Sequence, residues 1–288
     1  MADFRFKYEK QPERKVAYMT FTYPEKLNAL RMSDYEEMAR IIHEVNADDD
    51  VKVLVMKGEG RAFGSGHDVA ELGVIHDNLP GQRRPSQRKR LNIDRRLWGR
   101  PGVYQTICWC QKATVCQVQG ICYGAQFEFA NNSDIVVASE DALFTHPGFR
   151  YIGPVGEIGV LIETIGLKRV KEMMLTGEPL TAQEALRVGL INRVVPIEKL
   201  EEETEKMVEA ICRLPFDGIV MGKANFEAAM DSLGIGSAWN AAWIVHAMQT
   251  GIRYEDDEFN LFRARKEGGV TSAIRAREEH YSEQNPKK

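Results

Sequence analysis

The first half of the chain alternates short apolar strands with helical segments, and this alternation limits the fold more than any other feature. The run Val51 to Met56 is apolar at nearly every position, which is typical of a strand with both faces covered. Thr114 to Val118 and Asp134 to Ala138 have the same character, and Arg14 to Phe21 is also predicted to be a strand. Strand–helix–strand order of this kind predicts an α/β fold with mainly parallel pairing.

Between the first two strands, Ser33 and Glu36 have the spacing of a capping box, so a helix is predicted to begin there. After Pro196 the pattern changes and only helices are predicted. They cover Glu198 to Arg213, Phe216 to Met230, Ser237 to Thr250 and Tyr254 to Lys266, with a frayed polar tail from Glu278. We therefore expect an α/β core over residues 1–197 and a helical region over residues 198–288.

Composition excludes several classes of protein. The 288 residues carry 38 Lys plus Arg against 42 Asp plus Glu, a net charge of −4, which argues against a nucleic-acid binder. No apolar stretch is long enough to span a membrane, and the first residues lack the apolar core of a signal peptide. A cytoplasmic location is expected. The five cysteines lack metal-ligand spacing, so we expect buried reduced thiols and no metal site.

Residues 82–100 depart from this mild charge, with seven arginines and Lys89 against Asp94 alone. The segment is predicted to form either a site for anions such as phosphates or a solvated helix face with Leu91 and Leu97 turned inward.

Two glycine-containing turns each follow a strand and open a helix. The first runs from Gly60 to Val69 and the second from Gln119 to Glu128. Turns of this kind present unpaired backbone N–H groups at the positive end of a helix. If the two converge, their N–H groups could form an oxyanion hole from backbone atoms alone.

These loops and their neighbours resemble the crotonase superfamily, the enoyl-CoA hydratase/isomerase group. Pro24 to Leu30 (PEKLNAL) is similar to its early P-x-x-x-N-A-L signature, and Ala62 to Asp68 (AFGSGHD) to its A-F-x-x-G-x-D loop. The segment Gly120 to Glu128, followed by Asp134, resembles its G-x-x-x-G-x-G-x-E…D segment. Leu175-Thr176-Gly177 and the stretch Thr181 to Leu190 match its later signatures, so the resemblance covers the whole chain.

The resemblance implies a spiral of β-β-α turns with a C-terminal helical region that packs subunits into homotrimers or dimers of trimers. It implies a CoA-thioester substrate, a role in fatty acid metabolism and no separate cofactor, coenzyme A being part of the substrate; neither nucleic acid nor membrane is an expected partner. The backbone N–H groups of His67 and Ala125 would be the oxyanion donors. The remaining implied substrate and CoA contacts are Ala29, Gly66, Asp68, Val69, Gly124, Gly148 and Tyr151.

The catalytic carboxylates match the family only in part. Glu128 corresponds to the first glutamate of the hydratases and, three residues after Ala125, projects from the same helical face. At the position of the second glutamate this chain has Gly148, which has no side chain. The nearest substitutes are Glu157, Tyr151 and His146, and Glu157 is the predicted second catalytic residue.

Three functions therefore remain open. The first is an enoyl-CoA hydratase or related lyase that uses Glu128 with a nonstandard partner. The second is isomerisation, decarboxylation or hydrolysis of an acyl-CoA with a single glutamate, and the third is CoA binding without turnover. The arginine-rich segment is predicted to form a wall of the acyl pocket or its mouth near the CoA phosphates, and the acyl group is not specified.

Overall fold

A computed structural model describes residues 3–71, 86–146, 148–150, 158–249 and 253–282. The strands are β1 (Phe6–Gln11), β2 (Val16–Phe21), β3 (Val53–Gly58), β4 (Ala113–Val118), β5 (Ile121–Tyr123), β6 (Ile135–Ser139), β7 (Leu143–Thr145), β8 (Leu180–Thr181) and β9 (Arg193–Val195). The first seven helices are α1 (Met32–Asn46), α2 (Gln87–Leu97), α3 (Val103–Cys108), α4 (Ala125–Asn132), α5 (Ile158–Ile165), α6 (Leu167–Thr176) and α7 (Ala182–Val188). They are followed by α8 (Leu200–Cys212), α9 (Phe216–Ser232), α10 (Ile235–Gln249) and α11 (Leu261–Ser282).

The strands form two sheets. The larger has the order β1-β2-β3-β4-β6-β9, and all its neighbours pair in parallel except β1 and β2. The smaller has the order β5-β7-β8, with β5 parallel to β7. The predicted α/β class with mainly parallel pairing is confirmed.

The apolar runs in the central strands have a direct structural cause, because both faces of the larger sheet are covered. On β3, Leu54 and Met56 belong to the main core, whereas Val53 and Val55 pack in a second cluster with Val208 of α8 and others. All four side chains are fully buried. A strand between two such layers has no solvent-facing position for a polar residue.

Three predicted helix boundaries are wrong, one of them the start of the last helix, which lies at Leu261 and not at Tyr254. The first helix begins at Met32, and it is Asp34, not Glu36, that accepts a hydrogen bond from the backbone N–H of Arg31, at 2.7 Å. The last helix does not end at Lys266: α11 changes direction at Gly269, where φ is +78°, and continues to Ser282. The tail predicted to fray from Glu278 is thus helical as far as Ser282, since the burial of Leu261 and Ala273 fastens the helix to the rest of the fold.

The helical second half is present as predicted, and in the described part of the chain no strand follows β9. No helix among these residues is long and apolar enough to cross a membrane. All five cysteines are free thiols, and burial raises the pKa of Cys110 to about 11.

Candidate active site

The first glycine turn is fixed by the side chain of Asn28, which is completely buried. Its Nδ2 donates to the carbonyl oxygens of Glu59 at 3.0 Å and Ala62 at 2.8 Å. Its Oδ1 accepts from the N–H of Tyr23 at 2.9 Å. One short side chain thereby joins the early P-x-x-x-N-A-L segment to the loop that follows β3.

The second glycine turn meets the first at van der Waals distance. Gly66 has φ +101° and Gly124 has φ +56°, conformations that side chains rarely adopt. A Cβ on Gly124 would lie 3.3 Å from Gly66 Cα, and a Cβ on Gly66 would lie 3.4 Å from Ala125 N. The structure therefore brings together the two loops whose convergence the sequence predicted, and only glycines permit this approach.

A glutamine that sequence reasoning missed joins the two loops. Gln126 is fully buried on α4. Its Oε1 accepts from Gly66 N–H at 2.7 Å, and its Nε2 donates to Asn28 O at 2.8 Å. Gly64 leaves room for it, because a Cβ there would lie 2.3 Å from Gln126 Cδ. The sequence signal was its place between Ala125 and Glu128 on the first turn of a buried helix.

Backbone hydrogen bonds on both sides fix the peptide of His67. Gly66 N–H is committed to Gln126, and Asp68 N–H donates to Leu30 O at 2.8 Å. On the other loop, Ala125 is the first residue of α4, so no preceding helical turn can accept a bond from its N–H. The two predicted oxyanion donors thus lie on segments that contact each other.

The imidazole of His67 is part of an aromatic cluster. Its ring centroid lies 4.9 Å from that of Tyr35 and 5.0 Å from that of Trp98, both edge to face. Trp98 also stacks on Tyr104 at 5.1 Å. These contacts place α2 and α3 beside the first glycine turn.

Of the predicted CoA contacts, Ala29 and Asp68 are joined by Arg5, a residue the sequence did not single out. Arg5 Nη1 donates to Ala29 O at 2.9 Å and to Asp68 Oδ2 at 2.8 Å. Burial favours a higher pKa for Asp68, but the bonds from Ala70 N–H and Arg5 outweigh it and hold that pKa below its usual value. The next residue, Val69, accepts a bond from Arg265 of α11 at 2.9 Å.

Glu128 is 2% exposed and lies one turn along α4 from Ala125. Its Oε1 is 3.3 Å from Nε2 of His146, which follows β7. Burial lowers the pKa of His146 to about 4, and the nearby charge of His246 lowers it further, against a backbone hydrogen bond that raises it. At neutral pH the ring is therefore uncharged. A buried carboxylate and a neutral imidazole at this distance can share or transfer a proton after a small shift.

The structure does not describe two of the other proposed partners of Glu128. Glu157 and Tyr151 lie outside the described residues. Gly148 opens a short 3-10 helix directly after the His146 segment. Among the described residues, His146 is the proposed substitute for a second glutamate that lies next to Glu128.

The arginine-rich segment contains α2, and its buried side is not apolar throughout. Leu97 is buried as predicted, but Arg90 is 1% exposed and Asp94 is completely buried. Asp94 Oδ2 lies 2.9 Å from Nδ1 of His246 on α10. The predicted solvated face is present, with Arg88, Lys89, Arg95 and Arg96 exposed and Leu91 packed against the core, but the helix also turns two charged groups into the interior.

The outer side of α2 lines a surface cavity of about 720 Å³ shared with α10. Arg95, Arg96 and Arg100 face this cavity. Arg100 pairs with Glu227 at 2.7 Å and Arg96 pairs with Glu36. The described residues include no group of His, Cys, Asp and Glu side chains suited to hold a metal ion.

Comparison with known proteins identifies the family. The family model described as enoyl-CoA hydratase/isomerase matches residues 11–240. The crystal structure of an enoyl-CoA hydratase from Mycobacterium smegmatis is 25% identical, covers 97% of this chain and 94% of its own, and superposes with a TM-score of 0.81.

Two curated relatives are named for different reactions, one as a hydratase-domain protein and one as a decarboxylase. The mitochondrial enoyl-CoA hydratase domain-containing protein 3 of Rattus norvegicus is 32% identical over 219 residues, which are 70% of this chain and 64% of that protein. The methylmalonyl-CoA decarboxylase of Escherichia coli is 30% identical over 201 residues, 68% of this chain and 71% of that protein. The fold and the family are thus those of a crotonase-type, acyl-CoA-processing enzyme. The chain belongs to the enoyl-CoA hydratase/isomerase family.

Proposed function

We propose that this enzyme is a hydratase-like lyase that adds water to an enoyl-CoA thioester through a stabilised thioester enolate. The observation that carries the proposal is the buried contact of 3.3 Å between Glu128 and His146, one helical turn from Ala125. Buried ionisable groups are concentrated at functional sites. A buried carboxylate next to groups that stabilise negative charge is therefore a candidate for proton transfer.

The oxyanion hole would consist of the N–H groups of His67 and Ala125. When water attacks the β-carbon of the enoyl group, the electron pair of the double bond moves toward the thioester carbonyl, whose oxygen becomes negative. Two fixed backbone donors stabilise that oxygen more than they stabilise the neutral carbonyl of the substrate, which lowers the barrier.

Glu128 would carry the proton. Its carboxylate takes one proton from the attacking water, and the resulting hydroxyl forms the new bond to the β-carbon. The same proton is then returned to the α-carbon as the enolate collapses, so that one H and one OH have been added and Glu128 is ionised again. His146, neutral at pH 7, would orient the carboxylate by donating its Nε2 proton to Oε1.

The remaining assignments are part of the same proposal. CoA would lie along Ala29 and the loop from Gly66 to Val69, and no separate cofactor would be required. The helical second half would form trimers or dimers of trimers. A cytoplasmic location is proposed from the composition, although several relatives are named as mitochondrial.

Decarboxylation is the second candidate, and Gly148 is the observation that favours it. Loss of CO₂ from a carboxyacyl-CoA leaves the same enolate without any need to activate water, so a second carboxylate is dispensable. The methylmalonyl-CoA decarboxylase relative makes this a concrete alternative. In this case Glu128 and His146 would serve to deliver a proton to the α-carbon.

Hydration of crotonyl-CoA, followed by loss of the absorbance of the conjugated thioester, tests the proposal. The parent enzyme should turn over, and Glu128→Gln should lower kcat by about 10²- to 10⁴-fold. Glu163→Gln, on the exposed side of α5, is the matched control and should retain full activity. Absence of hydration together with release of CO₂ from methylmalonyl-CoA would favour the decarboxylase. Full activity in Glu128→Gln would remove Glu128 from its role in either reaction.

A further inference from the structure

The surface cavity between α2, α3 and α10 is lined by groups that the proposed mechanism does not use. Its volume is about 720 Å³, which lies within the range of small-molecule sites. No described residue assigned above to the oxyanion hole, the proton carrier or the CoA contacts lines it. We call it the arginine cavity, because Arg95, Arg96 and Arg100 form part of its wall.

The three arginines reach the cavity from the end of α2 and from the turn that follows it. Arg95 and Arg96 lie in the last turn of the helix. The chain then turns tightly at Gly99, where a Cβ would lie 2.6 Å from Arg95 O. The carbonyl of Arg100 accepts a bond from Thr106 Oγ1 at 2.8 Å, which ties this turn to α3. The guanidinium groups therefore extend from a backbone that is held in place by local contacts.

The charge of the lining favours an anion. Among the described residues that line the cavity, Asp231 supplies one carboxylate, so the guanidinium groups are in excess by two positive charges. Arg96 and Arg100 pair with glutamates, but both arginines are exposed in these pairs. Exposed ion pairs are weak and can be exchanged for a ligand. Arg95 has no ionic partner among the described residues.

A buried amide without a partner also lies in the wall. Gln105 of α3 lines the cavity and is 7% exposed, yet its side chain makes no hydrogen bond to a described residue. Buried amides are normally paired, so a bound ligand is a natural source of the missing partner. Gly236 and Ser237, in the first turn of α10, line the same cavity. The positive end of a helix dipole at this place favours an anion as well.

We propose that the arginine cavity is a second ligand site, separate from the active site, for a small molecule that carries a phosphate ester or a diphosphate. Guanidinium groups bind phosphate oxygens through paired hydrogen bonds. A phosphate monoester carries about two negative charges at neutral pH, which matches the excess of positive charge in the lining. Trp109, which is partly buried and lines the cavity, would contact the rest of the ligand.

Isothermal titration calorimetry of the full-length protein with inorganic diphosphate at low ionic strength tests the proposal. The parent should bind the probe saturably, and Arg95→Ala should weaken binding about tenfold or more. Arg95→Lys should also weaken it, because lysine keeps the charge but not the paired donors. Gln105→Met should weaken it about three- to tenfold. Arg88→Ala is the matched control, since Arg88 is exposed on the same helix but does not line the cavity, and its affinity should equal that of the parent.

Two further comparisons identify the site and the class of ligand. Arg5→Ala changes the proposed CoA contact and should leave the affinity for diphosphate unchanged, whereas a loss in Arg5→Ala without a loss in Arg95→Ala would place the probe at the CoA site and overturn the proposal. Malonate, a dicarboxylate, should bind more weakly than diphosphate, and tighter binding of malonate would refute the phosphate assignment. Absence of saturable diphosphate binding, or equal losses in Arg95→Ala and Arg88→Ala, would also overturn it. Because the measurement needs no turnover, an inactive parent enzyme would count against the proposed function and not against this site.

Discussion

Replacing Gln126 by methionine should separate the geometry of the oxyanion hole from the general stability of the fold. The side chain joins Gly66 N–H, one residue before His67, to Asn28 O through bonds of 2.7 and 2.8 Å. Methionine has a similar length and fills the same space, but it leaves both backbone groups buried without their partner.

The cost can be worked out from those two bonds. Each buried backbone group left unsatisfied costs about 1–3 kcal/mol, so Gln126→Met should lower the free energy of unfolding by about 2–6 kcal/mol. The loop that carries His67 should also shift, and a displacement of roughly 1 Å in a catalytic group costs up to about 10²-fold in rate. We therefore expect kcat to fall about 10- to 100-fold, with a smaller change in KM.

Gln119→Met provides the matched control. Gln119 is also buried and donates to two backbone carbonyls, Gly58 O at 2.7 Å and Gly60 O at 3.0 Å. It therefore joins the two turns where they begin, and it makes no hydrogen bond to Gly66 or Asn28. Urea unfolding and steady-state kinetics on both variants compare the two effects. Equal losses of kcat in Gln126→Met and Gln119→Met, or a wild-type kcat in Gln126→Met, would refute the role given to this crosslink.

Three further predictions follow from particular contacts. Arg5→Ala removes the bonds to Ala29 O and Asp68 and should raise KM for a CoA thioester about three- to tenfold with little change in kcat. An unchanged KM would show that Arg5 does not position the residues that contact CoA. Gly124→Ala places a side chain at φ +56° against Gly66, so it should lower the free energy of unfolding by about 1–3 kcal/mol and also lower kcat. A variant as stable and as active as the parent would show that the turn can relax. The pKa of His146 is about 4 in the folded protein and 6.5 in the unfolded chain. Between these pH values the unfolded chain binds more protons than the folded protein. Acidification from pH 7 to pH 4 should therefore lower the free energy of unfolding through this group by about 3 kcal/mol. Urea unfolding across this range should show a flatter pH dependence in His146→Gln, and identical slopes would refute the assignment.

The sequence predicted the parts of the molecule that depend on local pattern. Apolar runs such as Val51 to Met56 identified the central strands because both faces of that sheet are covered. The strand β1 was missed, since FKYEKQ at the sheet edge is half exposed and mostly polar. The first helix was assigned to the wrong cap because Ser33 and Glu36 have the right spacing, whereas Asp34 makes the bond.

The site residues that belong to family sequence motifs could be predicted from the sequence. Glu128, His67 and Ala125 were named from motifs, and the structure brings their segments together. Four other residues could not be named in this way: Arg5, Gln126, Asp94 and His246. Each is hydrogen-bonded to a residue 24 to 152 positions away in the sequence and belongs to no short motif. The burial of Asp94 in particular could not be expected, because the sequence around it is the most basic in the chain and such segments are usually exposed.

The measurement that tests the account most directly is the exchange of α-protons of a saturated acyl-CoA for deuterium, followed by NMR in D₂O. This exchange requires the thioester enolate and the proton carrier but does not depend on which reaction the enzyme completes. The account predicts exchange by the parent enzyme, loss of about 10²-fold or more in Glu128→Gln, and no exchange for a CoA thioether that lacks the carbonyl. Exchange at the parental rate in Glu128→Gln would contradict the central claim that this buried carboxylate moves the proton beside the two glycine turns.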